Sequence, residues 1–133
     1  VDWCEEIGVK TYKIAYSQNH NLDIINAVMA TGKPVIISSD KPEAFNTMYC
    51  IPEYPASEED IDWDMVKLCK GYSDHTVGMD AVKKAIDCGA EIIEKHFAIN
   101  QELGVDAPWS MNPKQLKGLV RYALSYSSSK IRV

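Results

Sequence analysis

No stretch of the 133 residues approaches the roughly 20 consecutive apolar positions that a bilayer-spanning helix needs. Basic charge is scarce: 14 Lys and Arg face 19 Asp and Glu, for a formal net charge of −5, with neither a basic stripe nor a basic tail. That balance argues against binding to nucleic acid or to an anionic membrane surface. The cysteines, Cys4, Cys50, Cys69 and Cys88, stand far apart and form no C-x-x-C pair. Zinc-finger and thiol-redox motifs are thereby set aside, and the expectation is reduced, mostly buried thiols in a cytoplasmic protein. Residues 1–20 lack the basic start and apolar centre of a secretory leader. There is no low-complexity tract and no internal repeat.

What is present is an ordinary globular composition, 46% hydrophobic and 25% charged, long enough for one domain with a core. Asp2 to Ile7 read as the last turns of a helix closed by Gly8, so the chain is expected to begin inside a larger unit. Thr11–Tyr16 is β-prone, and Leu22, Ile25, Val28 and Met29 then take helical spacing until Gly32 and Pro34. Val35–Ser38 and Thr47–Ile51 read as strands. Ser57 is the expected N-cap of a helix carrying Ile61, Met65, Val66 and Cys69.

Gly71–Thr76 is a short strand with a polar end, and a helix with Val82, Ala85 and Ile86 follows it, closed by Gly89. Glu91–Phe97 is the last strand. Asn112-Pro113 starts a helix with an apolar stripe of Leu116, Leu119, Val120, Ala123 and Leu124. Ser125–Ser129 reads as a linker or frayed end, extending to residue 133. Five strands alternating with helices predict an α/β fold with a parallel sheet. One element is missing: Ser39 to Met48 is too short for the dozen or more residues of a usual parallel crossover.

Polar residues gather at the expected C-terminal ends of the strands: Lys13, Ser38, Tyr54, Ser73 with His75, and Glu94 with His96. In βα folds that edge carries the active site. A lone histidine is more often structural than ligating, but two at the ends of successive strands would face one mouth. Paired imidazoles suit Mn, Fe, Co or Zn and leave positions open to substrate and water. Asp74 and Glu94 are equally readable as supporting acids, structural acids or ligands. Lys13 is either a solvated surface lysine or a binder of phosphate or carboxylate. His20 receives no role.

Four segments together resemble the N-acetylneuraminate (sialic acid) synthase family. They are Tyr12-Lys13-Ile14-Ala15 with Thr31-Gly32-Lys33-Pro34-Val35-Ile36-Ile37-Ser38; Gly71-Tyr72-Ser73-Asp74-His75-Thr76-Val77-Gly78; Ile92-Ile93-Glu94-Lys95-His96-Phe97; and Gly104-Val105-Asp106 before Ser110-Met111-Asn112-Pro113. The resemblance implies a partial TIM (β/α) barrel, strands four to eight of eight, with the helix between strands five and six nearly deleted. It implies condensation of phosphoenolpyruvate with N-acetylmannosamine or a related N-acylated amino sugar, releasing phosphate. It implies His75 and His96 as ligands of a divalent metal, usually Mn²⁺, and Lys13, Ser38 and Ser73 as binders of phosphoenolpyruvate. Tyr54 and Asp106 would contact the sugar.

The chain also departs from that pattern. Tyr16 and Gln18 replace a serine and a glutamate, and Pro52 replaces a hydrogen-bonding residue. The expectation is therefore a synthase fragment, inactive alone, that requires a missing N-terminal half or a homodimer. A non-catalytic interaction or sugar-phosphate-binding half-barrel, and a self-associating half-barrel, are the alternatives.

Overall fold

The computed structural model describes residues 1–43, 45–102 and 104–130, with side chains through Ser127. In chain order the elements are α1 (Asp2–Glu6), β1 (Tyr12–Ile14), α2 (Leu22–Met29), β2 (Val35–Ser39) and β3 (Asn46–Tyr49). After them come α3 (Trp63–Leu68), β4 (Gly71–Asp74), α4 (Asp80–Asp87), β5 (Ile92–Lys95) and α5 (Pro113–Lys130). The strands form one sheet in the order β1-β2-β3-β4-β5, every neighbour parallel. They curl as a half-barrel, in agreement with the fold expected from sequence.

Successive residues on a strand face opposite sides. On the convex side Tyr12, Ile14, Val35 and Ile37 pack against Val28 of α2. Further along, Tyr49 and Tyr72 pack with Val66, Ala81 and Ala85 of α3 and α4. The alternate positions, Lys13, Ser38, Met48, Gly71, Ser73 and Glu94, therefore share the concave side. Gly71 is there because the strands come close: a Cβ at that position would lie 2.5 Å from the Ile92 carbonyl oxygen and 2.9 Å from Met48 Cγ.

Between β2 and β3 the described residues contain no helix. Side chains bridge the tight return instead: Ser39 Oγ donates to Glu43 Oε1 at 3.2 Å, and Thr47 Oγ1 accepts from the Glu43 N–H at 2.9 Å. The Glu43 backbone N–H finds its acceptor this way.

Several expected boundaries are corrected. Ser57 caps only a 3-10 turn, Glu58–Asp60, while Asp62 caps α3 by accepting from the N–H groups of Asp64 and Met65. The chain is extended again at Ile61, so one helix cannot run from Ser57. Ser125–Ser129 is neither linker nor frayed end, because α5 continues to Lys130; residues 131–133 lie outside the described residues. Tyr122 and Tyr126 hold this part of α5 by donating 2.7 Å hydrogen bonds to Asp87 at the end of α4.

The stripe on α5 is also narrower than expected. Leu119 is buried against Val82 and Ile86 with Tyr122, Ala123 and Tyr126 beside it, whereas Leu116, Val120 and Leu124 are exposed. The reason is that α5 turns the Leu119 face toward α4. Asn112 and Gln115 do form the expected helix start, each side chain accepting at 2.9 Å from the other's backbone N–H. Cys50 and Cys69 are buried, while Cys4 and Cys88 are only partly so.

Two stability predictions follow from this packing. Gly71→Ala should lower the urea-unfolding free energy by about 1–3 kcal/mol, because backbone rather than a mobile side chain obstructs the methyl group. Asp62→Ala should cost about 1 kcal/mol and Ser57→Ala much less; the reverse order in equilibrium unfolding would contradict the capping assignment.

Candidate active site

Lys13, Ser38, Tyr54, Ser73, His75, Glu94 and His96 border one cavity of about 470 Å³ at the C-terminal edge of the sheet. Lys13 and Ser38 come from β1 and β2, Ser73 from β4 and Glu94 from β5; His75 and His96 follow the last residues of β4 and β5. The β4–β5 register sets Ser73 opposite Glu94. Glu94 Oε1 accepts from Ser73 Oγ at 2.7 Å and lies 3.0 Å from Lys13 Nζ. Burial opposes ionisation of Glu94, but the hydrogen bonds from Ser73 and Lys13 and the neighbouring ammonium outweigh it. The carboxyl is held below its usual range.

Lys13 is thus a cavity residue, not a lysine turned away into solvent, and Glu94 is its partner. Ser38 Oγ is buried and has no hydrogen-bond partner among the described residues. A buried hydroxyl of that kind calls for an acceptor or donor from a ligand or water.

His75 is 6% exposed, and its Nδ1 lies 2.6 Å from the Ile51 carbonyl oxygen. A carbonyl can only accept, so Nδ1 carries the proton and Nε2 keeps its lone pair. Nε2 lies 3.4 Å from Ser73 Oγ. Burial, above all, holds the His75 pKa below the ordinary histidine value, which keeps the ring neutral. His96 Nδ1 faces Asp106 Oδ2 at 3.5 Å, a contact that favours a proton on that nitrogen. The two ring centroids are 5.8 Å apart at an interplanar angle of 65°.

A neutral imidazole donating its far N–H to a carbonyl or carboxylate is the arrangement that orients histidine metal ligands. The donor set fits a divalent cation held by two nitrogens, with the remaining positions left to water and substrate. No third His, Cys, Asp or Glu completes a cluster among the described residues. Asp106 reaches the site through His96 and is 52% exposed at its side chain.

Tyr54 lies over these rings, its centroid 4.1 Å from His75 and 5.6 Å from His96. Sequence reasoning missed Trp109, which stands 6.2 Å from Tyr54 and 6.3 Å from His96. It also missed Cys50 at the cavity wall, whose thiol burial pushes up to about 12 against the opposing pull of Lys13. Tyr16 and Pro52 line the same cavity, and the Tyr16 hydroxyl lies 3.4 Å from Asp40 Oδ2. Tyr16 and Pro52 already stand out in the sequence as departures from the family pattern, whereas Trp109 and Cys50 do not, because nothing in the pattern places them at the cavity.

Comparison with known proteins gives this geometry a context. The chain is 31% identical to the N,N'-diacetyllegionaminic acid synthase of Campylobacter jejuni, over 90% of this chain and 44% of that protein. It is 32% identical to the pseudaminic acid synthase of Helicobacter pylori, over 87% of this chain and 42% of that one. Among solved structures, an N-acetylneuraminic acid synthetase of Leptospira borgpetersenii superposes with a TM-score of 0.89 at 28% identity, covering 98% of this chain and 54% of that chain. The chain thus spans less than half the length of these curated relatives. A family model described as NeuB family matches residues 1–130, and the chain belongs to the NeuB family.

Proposed function

We propose that this half-barrel supplies one part of the active site of a nonulosonic acid synthase, which condenses phosphoenolpyruvate with an N-acylated mannosamine-type sugar. The observation that carries the proposal is the convergence of Lys13, Ser38, Ser73, Glu94, His75 and His96 on one cavity in a chain of this family. In the reaction, C3 of phosphoenolpyruvate forms a bond to the sugar's aldehyde carbon, water adds at C2, and phosphate leaves. A divalent ion, Mn²⁺ by resemblance, bound by His75 and His96 would supply Lewis-acid polarisation of the aldehyde.

The chain's own groups position the reactants. Lys13 supplies an ammonium and Ser38 and Ser73 supply hydroxyls to the anionic substrate. Glu94 keeps Lys13 and Ser73 in place until that substrate arrives. Tyr54 and, through His96, Asp106 lie on the side left to the sugar. Catalysis is proposed to require the remaining strands of the barrel, since five strands leave the concave face open, and a homodimer is the expected assembly. Among the described residues no helix is long and apolar enough to cross a membrane. The proposed setting is the cytoplasm, where free thiols stay reduced.

The test is sugar-dependent release of phosphate from phosphoenolpyruvate in the presence of Mn²⁺. The protein carrying the remaining strands should turn over and the 133-residue chain alone should not. Turnover by the chain alone would contradict the division of the site. Losing the charged hydrogen bonds of Lys13, worth about 1.5–3 kcal/mol, should make Lys13→Ala raise KM for phosphoenolpyruvate by about 10–100-fold. An unchanged KM would remove Lys13 from the anion site. Tyr16 and Pro52 on the cavity wall favour a second reading, a ligand-binding half-barrel without turnover. That reading predicts calorimetric binding of phosphoenolpyruvate with no phosphate release in any assembly.

A further inference from the structure

Asp74 and Lys95 stand immediately before His75 and His96, yet their side chains turn to the convex face and are fully buried, 0% exposed in both cases. Both residues border the cavity, but their charged ends are engaged with each other rather than presented to it. They are paired across the β4–β5 ladder, and Lys95 Nζ lies 2.7 Å from Asp74 Oδ2. The same ammonium donates to the Thr76 carbonyl oxygen at 2.7 Å. Asp74 Oδ1 accepts from the Thr76 N–H at 2.9 Å and from the Tyr72 hydroxyl at 3.3 Å. One network therefore ties the end of β5 to the residues on both sides of His75.

A buried ion pair is a poor source of stability, because the cost of desolvating both charges rivals their attraction, and an apolar pair of similar volume often does as well. What the pair provides is a fixed distance and angle between two backbones. His75 is held further by Ile51 and His96 by Asp106, and Ser73 meets Glu94 one residue earlier. Among the described residues it is the Lys95 ammonium, bonded to Asp74 and to the Thr76 carbonyl, that reaches from the end of β5 to both sides of His75.

We propose that Asp74 and Lys95 are positioning residues, a buried strut that sets the 5.8 Å separation and 65° tilt of the two imidazoles so that both can hold one divalent cation. This rests on the two-histidine metal reading. The strut acts through the backbone at the strand ends, where removing it lets the turns after β4 and β5 move independently while the convex core persists.

The experiment is a titration of Mn²⁺ into the intact protein, read by the electron paramagnetic resonance of the free ion and by the spectrum of the bound one. The neutral pair Asp74→Asn/Lys95→Met should unfold cooperatively near the parent temperature but bind Mn²⁺ at least about tenfold more weakly, with a broadened bound spectrum. Parent-like affinity and spectrum in that folded variant would overturn the strut. Should the double variant not fold, Lys95→Met alone decides by the same titration, since it removes the ammonium that joins Asp74 to the Thr76 carbonyl and leaves the bonds from Thr76 and Tyr72 to Asp74 in place. His75→Ala and His96→Ala separate the two claims. If the parent's Mn²⁺ binding survives both, the metal reading fails and the strut with it; if both abolish binding while the neutral pair leaves it intact, the strut alone fails.

Discussion

Successive side chains of a β-strand point to opposite faces, and here helices cover only one of them. That constraint divides each short strand into a packing set and a chemical set. In β4, Tyr72 joins the aromatic contact with Tyr49 and Trp63 while Ser73 meets Glu94 in the cavity. In β5, Ile93 packs against the helices while Glu94 faces Lys13. Slipping β5 by one residue against β4 would send Glu94 into the helix layer and bring Lys95 into the cavity. The buried convex core therefore fixes the site as firmly as it fixes the fold.

The electrostatics of the concave face follow from that placement. Lys13 is the ammonium that faces the cavity, and Glu94 already neutralises it, while the charge of Lys95 is spent on Asp74 behind the sheet. Burial keeps His75 neutral and the Cys50 thiol protonated, so neither adds charge at physiological pH. A polyanion entering this cavity meets one shared cation and several hydroxyls. A divalent ion on the imidazoles would change that balance, and a neutral His75 with its Nε2 lone pair free is the form suited to receive it.

Much of this was legible in the sequence. Short β-prone or apolar runs carrying Lys13, Ser38 and Glu94, and the polar-ended Gly71–Thr76, announced strands with polar C-terminal ends, and the glycines marked the turns. Gly8 and Gly89, for instance, close α1 and α4 at φ of 71° and 100°. Other features resisted. Ser57 and Asp62 are both good capping residues, and only the extended backbone at Ile61 decides between them. The serines after Tyr122 lack helical character of their own, but tyrosine hydroxyls bonded to Asp87 hold them in α5. The Asp74–Lys95 pair needs the strand register, and the Tyr54–Trp109 contact needs two loops to converge; sequence spacing contains neither. Asp106 could be given a place at the site only by resemblance, as a sugar contact, because a loop acid has no periodicity to place it; its approach to His96 is visible only in the structure.

The central claim is that the ends of β4 and β5 form a divalent-metal site beside an anion-binding cavity. It is tested most directly by anomalous diffraction at the manganese edge from crystals of the intact protein grown with Mn²⁺ and phosphoenolpyruvate. The account predicts one anomalous peak within coordination distance of a ring nitrogen of both His75 and His96, with the phosphoenolpyruvate anion beside Lys13, Ser38 and Ser73. A peak elsewhere, or the anion bound away from Lys13 with both histidines free of metal, would contradict it.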